Sequence, residues 1–73
     1  MDYAKLLFDK YQTALIKTQQ VPEITGRSVA SLEADRRNGE GIPFKRLGGK
    51  INSPVRYPIH ELSKFLNSVE KIL

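Results

Sequence analysis

The chain has 73 residues, no cysteine, a single histidine and a formal net charge of +4. Disulfides are excluded, and His60 alone makes a zinc or haem site implausible, so no cofactor or metal is expected. A single domain of this size buries only about 60% of its unfolded surface. That predicts a compact helical core, completed if at all by a second copy of the chain.

Residues 2–17 carry Ala4, Leu7, Phe8, Tyr11, Ala14 and Leu15 at helical one-face spacing, with Asp2 as N-cap, and predict an amphipathic first helix. Lys5, Asp9 and Lys10 interrupt the apolar run, which argues against a signal peptide. No stretch approaches the roughly 20 apolar residues of a membrane span, so a soluble, cytoplasmic protein without a membrane partner is expected. From Thr18 to Gly26, Val21 and Ile24 are three apart and Pro22 suits a first turn, predicting a short helix that stops at Gly26.

Ser28 is a natural cap for a further helix over about 29–38, which Gly39 ends and whose last turn holds Arg36 and Arg37. Leu32, with Val29, points inward; Ala30, Glu33, Ala34 and Arg37 share another face, poor as core and suited to contact. Residues 42–57 predict a β-hairpin. Its first strand is 44–47 and its second 55–57, with Val55 and Tyr57 on one face and Arg56 on the other. Gly48 and Gly49 supply the turn, and Lys45, Arg46, Lys50 and Asn52 cluster near the tip. A closing helix over 60–72 places Leu62, Phe65, Leu66, Val69, Ile72 and Leu73 on one face, with His60 in a capping position after Pro58.

The charge is not evenly spread. Lys5, Lys10 and Lys17 balance Asp2, Asp9 and Glu23 in the first 25 residues, and Lys64 and Lys71 balance Glu61 and Glu70 after residue 58. Between them stand seven bases (Arg27, Arg36, Arg37, Lys45, Arg46, Lys50, Arg56) against three acids (Glu33, Asp35, Glu40), so the whole net charge sits in one central stretch. Such a distribution suits a polyanion-binding face, and equally a solvated surface. No nucleophile–base set, carboxylate pair or phosphate-cradling loop is present, and Gly39, Gly41, Gly48 and Gly49 are spaced as hairpin glycines, so an enzyme is not expected.

Two helices about a glycine turn, followed by a basic hairpin, predict a mainly α fold with a small β-hairpin, a winged helix-turn-helix. Its parts are an extra helix (1–17), the helix-turn-helix (18–39), the wing (42–57) and the closing helix (60–72). The run Thr25-Gly26-Arg27-Ser28-Val29-Ala30-Ser31-Leu32-Glu33 resembles the core of MerR-like domains in phage excisionases and AlpA-type regulators. Gly39-Glu40-Gly41-Ile42-Pro43-Phe44-Lys45-Arg46-Leu47-Gly48-Gly49 is similar to the start of their wing, and Val55-Arg56-Tyr57 before Glu61 and Leu62 to its end.

The resemblance covers about residues 16–66 and implies a sequence-specific binder of double-stranded DNA. Such a protein is a small transcriptional regulator or an excisionase-like recombination directionality factor of a phage or mobile element. The sequence leaves the oligomeric state open, with a homodimer or a cooperative array on DNA and an integrase or other protein as candidate partners. Contacts carried over fall on Ser28, Ser31, Glu33, Ala34 and Arg37 in the second helix, and on Lys45, Arg46, Lys50 and Arg56 in the wing; Arg27 before that helix, Ala30 on its contact face and Asn52 near the hairpin tip are further candidate DNA contacts. Glu33 could accept from a cytosine or only restrain Arg37.

The sequence departs from the family at Pro22, where alanine is usual, and at Asp35, where an apolar residue packs inward. An ion pair of Asp35 with Arg36 or Arg56 is expected instead. Ile51 to Pro54 lengthen the wing, and the first helix precedes the family's usual start. The rival reading is a protein-interaction module that keeps the fold without binding DNA. In either case the first and closing helices are expected to pack on one another or to form a dimer interface.

Overall fold

The computed structural model describes residues 2–72, with side chains through residue 68. In chain order it contains α1 (Tyr3–Tyr11), β1 (Leu15–Lys17), a 3-10 turn (Thr18–Gln20), α2 (Val21–Thr25) and α3 (Val29–Arg37), then β2 (Lys45–Arg46), β3 (Val55–Pro58) and α4 (Ile59–Ile72). The fold is mainly helical, with one small antiparallel sheet of strand order β1-β3-β2. Among the described residues, no helix is long and apolar enough to cross a membrane.

The first helix is shorter than its apolar spacing predicts. Asp2 caps it by accepting from Lys5 N–H at 3.1 Å, but Gln12 turns left-handed at φ 57° and its N–H closes on Phe8 O at 2.8 Å. Thr13 Oγ1 then accepts from Leu15 N–H, and the chain leaves as a strand. Leu15 to Lys17, expected as the helix end, pair with β3 in the register Leu15↔Pro58, Ile16↔Tyr57, Lys17↔Arg56. The expected two-stranded hairpin is therefore a three-stranded sheet. Burying Ile16 fully against Tyr57 outweighs the modest helix propensity of a segment carrying β-branched Thr13, Ile16 and Thr18.

The remaining elements follow local chemistry. Pro22 sits in the first turn of α2, and Gly26 ends it at φ 79°, a left-handed conformation that costs glycine nothing. Ser28 caps α3 by accepting from Ser31 N–H at 3.1 Å. The first hairpin strand spans only Lys45–Arg46, because Gly48 and Gly49 bend the chain into a long tip closed by Leu47 N–H to Pro54 O. The last helix starts at Ile59, whose N–H donates to Ala14 O at 2.9 Å. His60 thus lies inside its first turn, 3.3 Å from Glu61, and does not cap it.

Leu7, Ile16, Val21, Leu32, Ile42, Tyr57 and Leu62 form the core, with Phe44 and Phe65 partly buried against it. The two apolar stripes of α1 and α4 face one another. Leu6 and Phe8 are left exposed on α1, although Phe8 was expected to face inward. Val69, Ile72 and Leu73, expected on the apolar face of the closing helix, lie outside the described side chains.

Tyr11 ties α1 to α2 by donating its hydroxyl hydrogen to Glu23 Oε1 at 2.5 Å. Burial, then the hydrogen bond and charge of Glu23, push its pKa from 10.0 up to about 12. A raised folded pKa means that the protonated form is the one stabilised. The contribution is therefore complete below pH 10 and lost as pH rises towards 12. Tyr11→Phe lacks this bond at every pH. Its deficit in urea midpoint relative to wild type is expected to shrink across that window, and a constant deficit would disprove the linkage.

Candidate nucleic-acid interface

The exposed surface of α3 is set by the inward commitment of Leu32, which is 1% exposed. Ala30, Glu33 and Arg37 face solvent, and Ala34 is half-buried beside them. The predicted contact face of this helix is thus on the outside. Among the described residues, the Arg37 side chain has no ion pair or hydrogen bond.

Other predicted contact residues are already engaged. Arg27 forms an ion pair with Asp35, and the same nitrogen lies 2.8 Å from Ser31 Oγ. Asp35 was expected to pair with Arg36 or Arg56, but Arg27 reaches it from the turn before α3, eight residues earlier. Gly41 makes room for this pair: a Cβ there would meet Asp35 Cβ and Oδ2 at 2.7 Å, and its φ of 85° favours glycine as well. Arg27, Ser28 and Ser31 therefore fix the start and outer flank of α3. Ser28 does so through its cap, and any further contact they make comes from atoms already held in place.

Arg36 is the residue whose role the sequence did not disclose. It was expected as a last-turn cation or a partner of Asp35, yet its Nη1 donates to Tyr57 Oη at 2.8 Å and its guanidinium lies 5.7 Å from the Phe44 ring centroid. Arg46 stacks on the same ring at 5.4 Å and donates to Ile51 O at 2.8 Å. Phe44 in turn lies against Tyr57, with ring centroids 6.2 Å apart and planes tilted by 52°. One aromatic pair thus holds two arginines, one from α3 and one from the hairpin, each contact worth about 0.5–1 kcal/mol at an exposed site.

Between them lies an open groove of about 500 Å³ lined by Glu33, Arg36, Arg37, Arg46 and Ile51. It carries three cations against one carboxylate. Glu33 lies 3.9 Å from Arg36, so the restraint expected on Arg37 falls on its neighbour. Lys50 and Asn52 stand exposed on the tip beyond the groove, where the Ser53 hydroxyl accepts from Lys50 N–H.

The hairpin does not keep its predicted cations together. Directly opposed residues share a face of a sheet, and Lys45 opposes Arg56 while Arg46 opposes Val55. Arg46 therefore lies on the inner face with Val55 and Tyr57. Lys45 and Arg56 lie on the outer face, where Lys17 opposes Arg56 from the other side. Lys17 was not expected in any site, because the helical reading hid its strand register. The sequence offers only a weak signal for it, the β-branched Ile16 and Thr18 on either side of Lys17. Three like charges now stand on neighbouring strands at Cβ spacings of about 5 Å, and like charges directly opposed in this way are destabilising.

Among the described residues, no group of acidic, histidine or cysteine side chains could hold a metal ion. No family model matches the sequence, and neither a curated protein nor a solved structure resembles it significantly.

Proposed function

We propose that the protein binds double-stranded DNA sequence-specifically as a winged helix-turn-helix. In this reading α2 and α3 are the two helices about the Gly26 turn, and β2–β3 is the wing. The observation that carries it is the groove in which Arg37 of α3, unpaired among the described residues, faces Arg46 of the hairpin across a surface of net positive charge. Docked as the second helix of such a motif, α3 would present Ala30, Glu33, Ala34 and Arg37 to base edges. Arg36, Arg46 and Lys50 would then meet the flanking phosphates.

The resemblance to MerR-like excisionase and AlpA-type proteins supports the same reading. It extends it to a transcriptional regulator or an excision factor of a phage or mobile element, working in the cytoplasm. The test is fluorescence anisotropy against a pool of random-sequence duplexes, with sequencing of the retained fraction. A recovered motif is expected, and its half-site spacing would report a monomer, a homodimer or a cooperative array. The three cations placed at phosphates on this face (Arg36, Arg46, Lys50) contribute about −3 to the slope of log affinity against log salt.

Exposed Leu6 and Phe8 on α1 favour a second reading, a protein-interaction module, with an integrase or a second copy among the partners. Absence of duplex binding at low salt would decide for it.

A further inference from the structure

The row Lys17–Arg56–Lys45 runs across all three strands on the outer face of the sheet, one cation from each of β1, β3 and β2. None of the three strands contains an acidic residue, so no carboxylate of the sheet neutralises it. Lys17 and Lys45 are exposed, and neither side chain has a hydrogen bond or ion pair among the described residues. Arg56 is half-buried between them and donates to Val55 O at 2.9 Å, which steadies its guanidinium. The row faces away from the α3 groove, because Arg46, Val55 and Tyr57 occupy the opposite face of the same strands.

We infer that this outer face is a second phosphate-binding surface, which takes a phosphodiester backbone distinct from the stretch held at α3. Three residues at sheet spacing span roughly 10 Å, the rise over which one strand of B-DNA presents about three phosphates at 3.4 Å each. A linear polyanion matches a linear row of cations better than a compact anion does, since it neutralises all three together. The inference rests on the DNA reading for the identity of the polyanion. The backbone is supplied by a second duplex, which the protein would bridge to the first, or by the flank of the same duplex bent around the sheet.

The test compares wild type, Lys17→Gln/Lys45→Gln and Arg37→Ala by anisotropy over a salt series, on a random-sequence duplex and on the duplex recovered by selection. It also includes capture of a labelled duplex by protein held on an immobilised one. Both lysines are exposed, and their replacement relieves repulsion, so the double variant is expected to melt no lower than wild type. Its salt slope is expected to be shallower by about 2, since each lost phosphate contact contributes about 0.9.

Loss of capture together with the shallower slope assigns the row to a second duplex. A shallower slope without capture by wild type assigns it to the flank of the same duplex. An unchanged slope and unchanged capture in the double variant would overturn the row, whatever Arg37→Ala does. A loss confined to the double variant, with Arg37→Ala binding the selected duplex as wild type does, would keep the row and overturn the role of α3. A wild-type chain that binds no duplex at low salt overturns both.

Discussion

Tyr57→Ala is expected to lower the melting temperature by roughly 15–30 °C, more than any other single replacement considered for this chain. Tyr57 is 1% exposed and is the largest of the fully buried side chains. Its ring packs over Phe44, and its backbone pairs with Ile16. Its hydroxyl accepts from Arg36. Truncating a buried aromatic to alanine costs about 3–5 kcal/mol. A 73-residue domain has only about 4–11 kcal/mol to lose.

Tyr57→Phe separates the two contributions. It keeps the packing and removes the acceptor from a guanidinium whose side chain is 14% exposed, for an expected cost of about 1–2 kcal/mol. Arg36 would then lose the bond that orients it towards the groove, so Tyr57→Phe should also weaken DNA binding slightly. Circular dichroism melts of the two variants check the order. Tyr57→Ala melting within a few degrees of wild type would mean that the sheet is not anchored through this ring.

Where the residue itself dictates the backbone, sequence and structure agree. Ser28 caps α3, Gly26 ends α2, Pro22 sits in a first turn, and Leu32, Ile42 and Tyr57 are buried. These are local choices, made by a hydroxyl, a missing Cβ, a fixed φ or an apolar surface.

The errors arise where a distant partner decides. Leu15 to Lys17 continue a helical spacing by coincidence, and only Tyr57, some forty residues later, makes them a strand. Asp35 was assigned partners near in sequence or on the wing, while the chain brings Arg27 back over α3 to meet it. The split of the hairpin cations depends on register, which a first strand of imperfect alternation could not supply. The candidate face of α3 was legible because it depends on helix periodicity alone. The groove beside it was not, because it depends on how the hairpin docks against α3, and the Lys17–Arg56–Lys45 row was not, because it requires three-stranded pairing.

The second large effect is expected in binding. Arg37→Ala should weaken the preferred duplex by roughly 5- to 150-fold, the equivalent of one arginine–guanine contact of about 1–3 kcal/mol. The fold should not notice. Arg37 is exposed in the last turn, and replacements at such surface positions stay within about 0.5 kcal/mol.

The argument for a base contact over a phosphate contact is positional. Arg37 shares its helix face with Ala30, Glu33 and Ala34, which are small or acidic and unsuited to meeting a phosphate. Arg46 and Lys50 occupy the flank, where phosphates would run. Lys50→Ala should therefore weaken all duplexes alike and reduce the salt slope by about 1. Arg37→Ala should narrow the gap between preferred and random duplexes. Arg37→Lys keeps the charge and loses the planar fork, so it should restore binding to random sequence more than to the preferred site. If Arg37→Lys instead behaved as wild type on both, the arginine would be a point charge on a phosphate. The base reading would then pass to Glu33 and the two alanines.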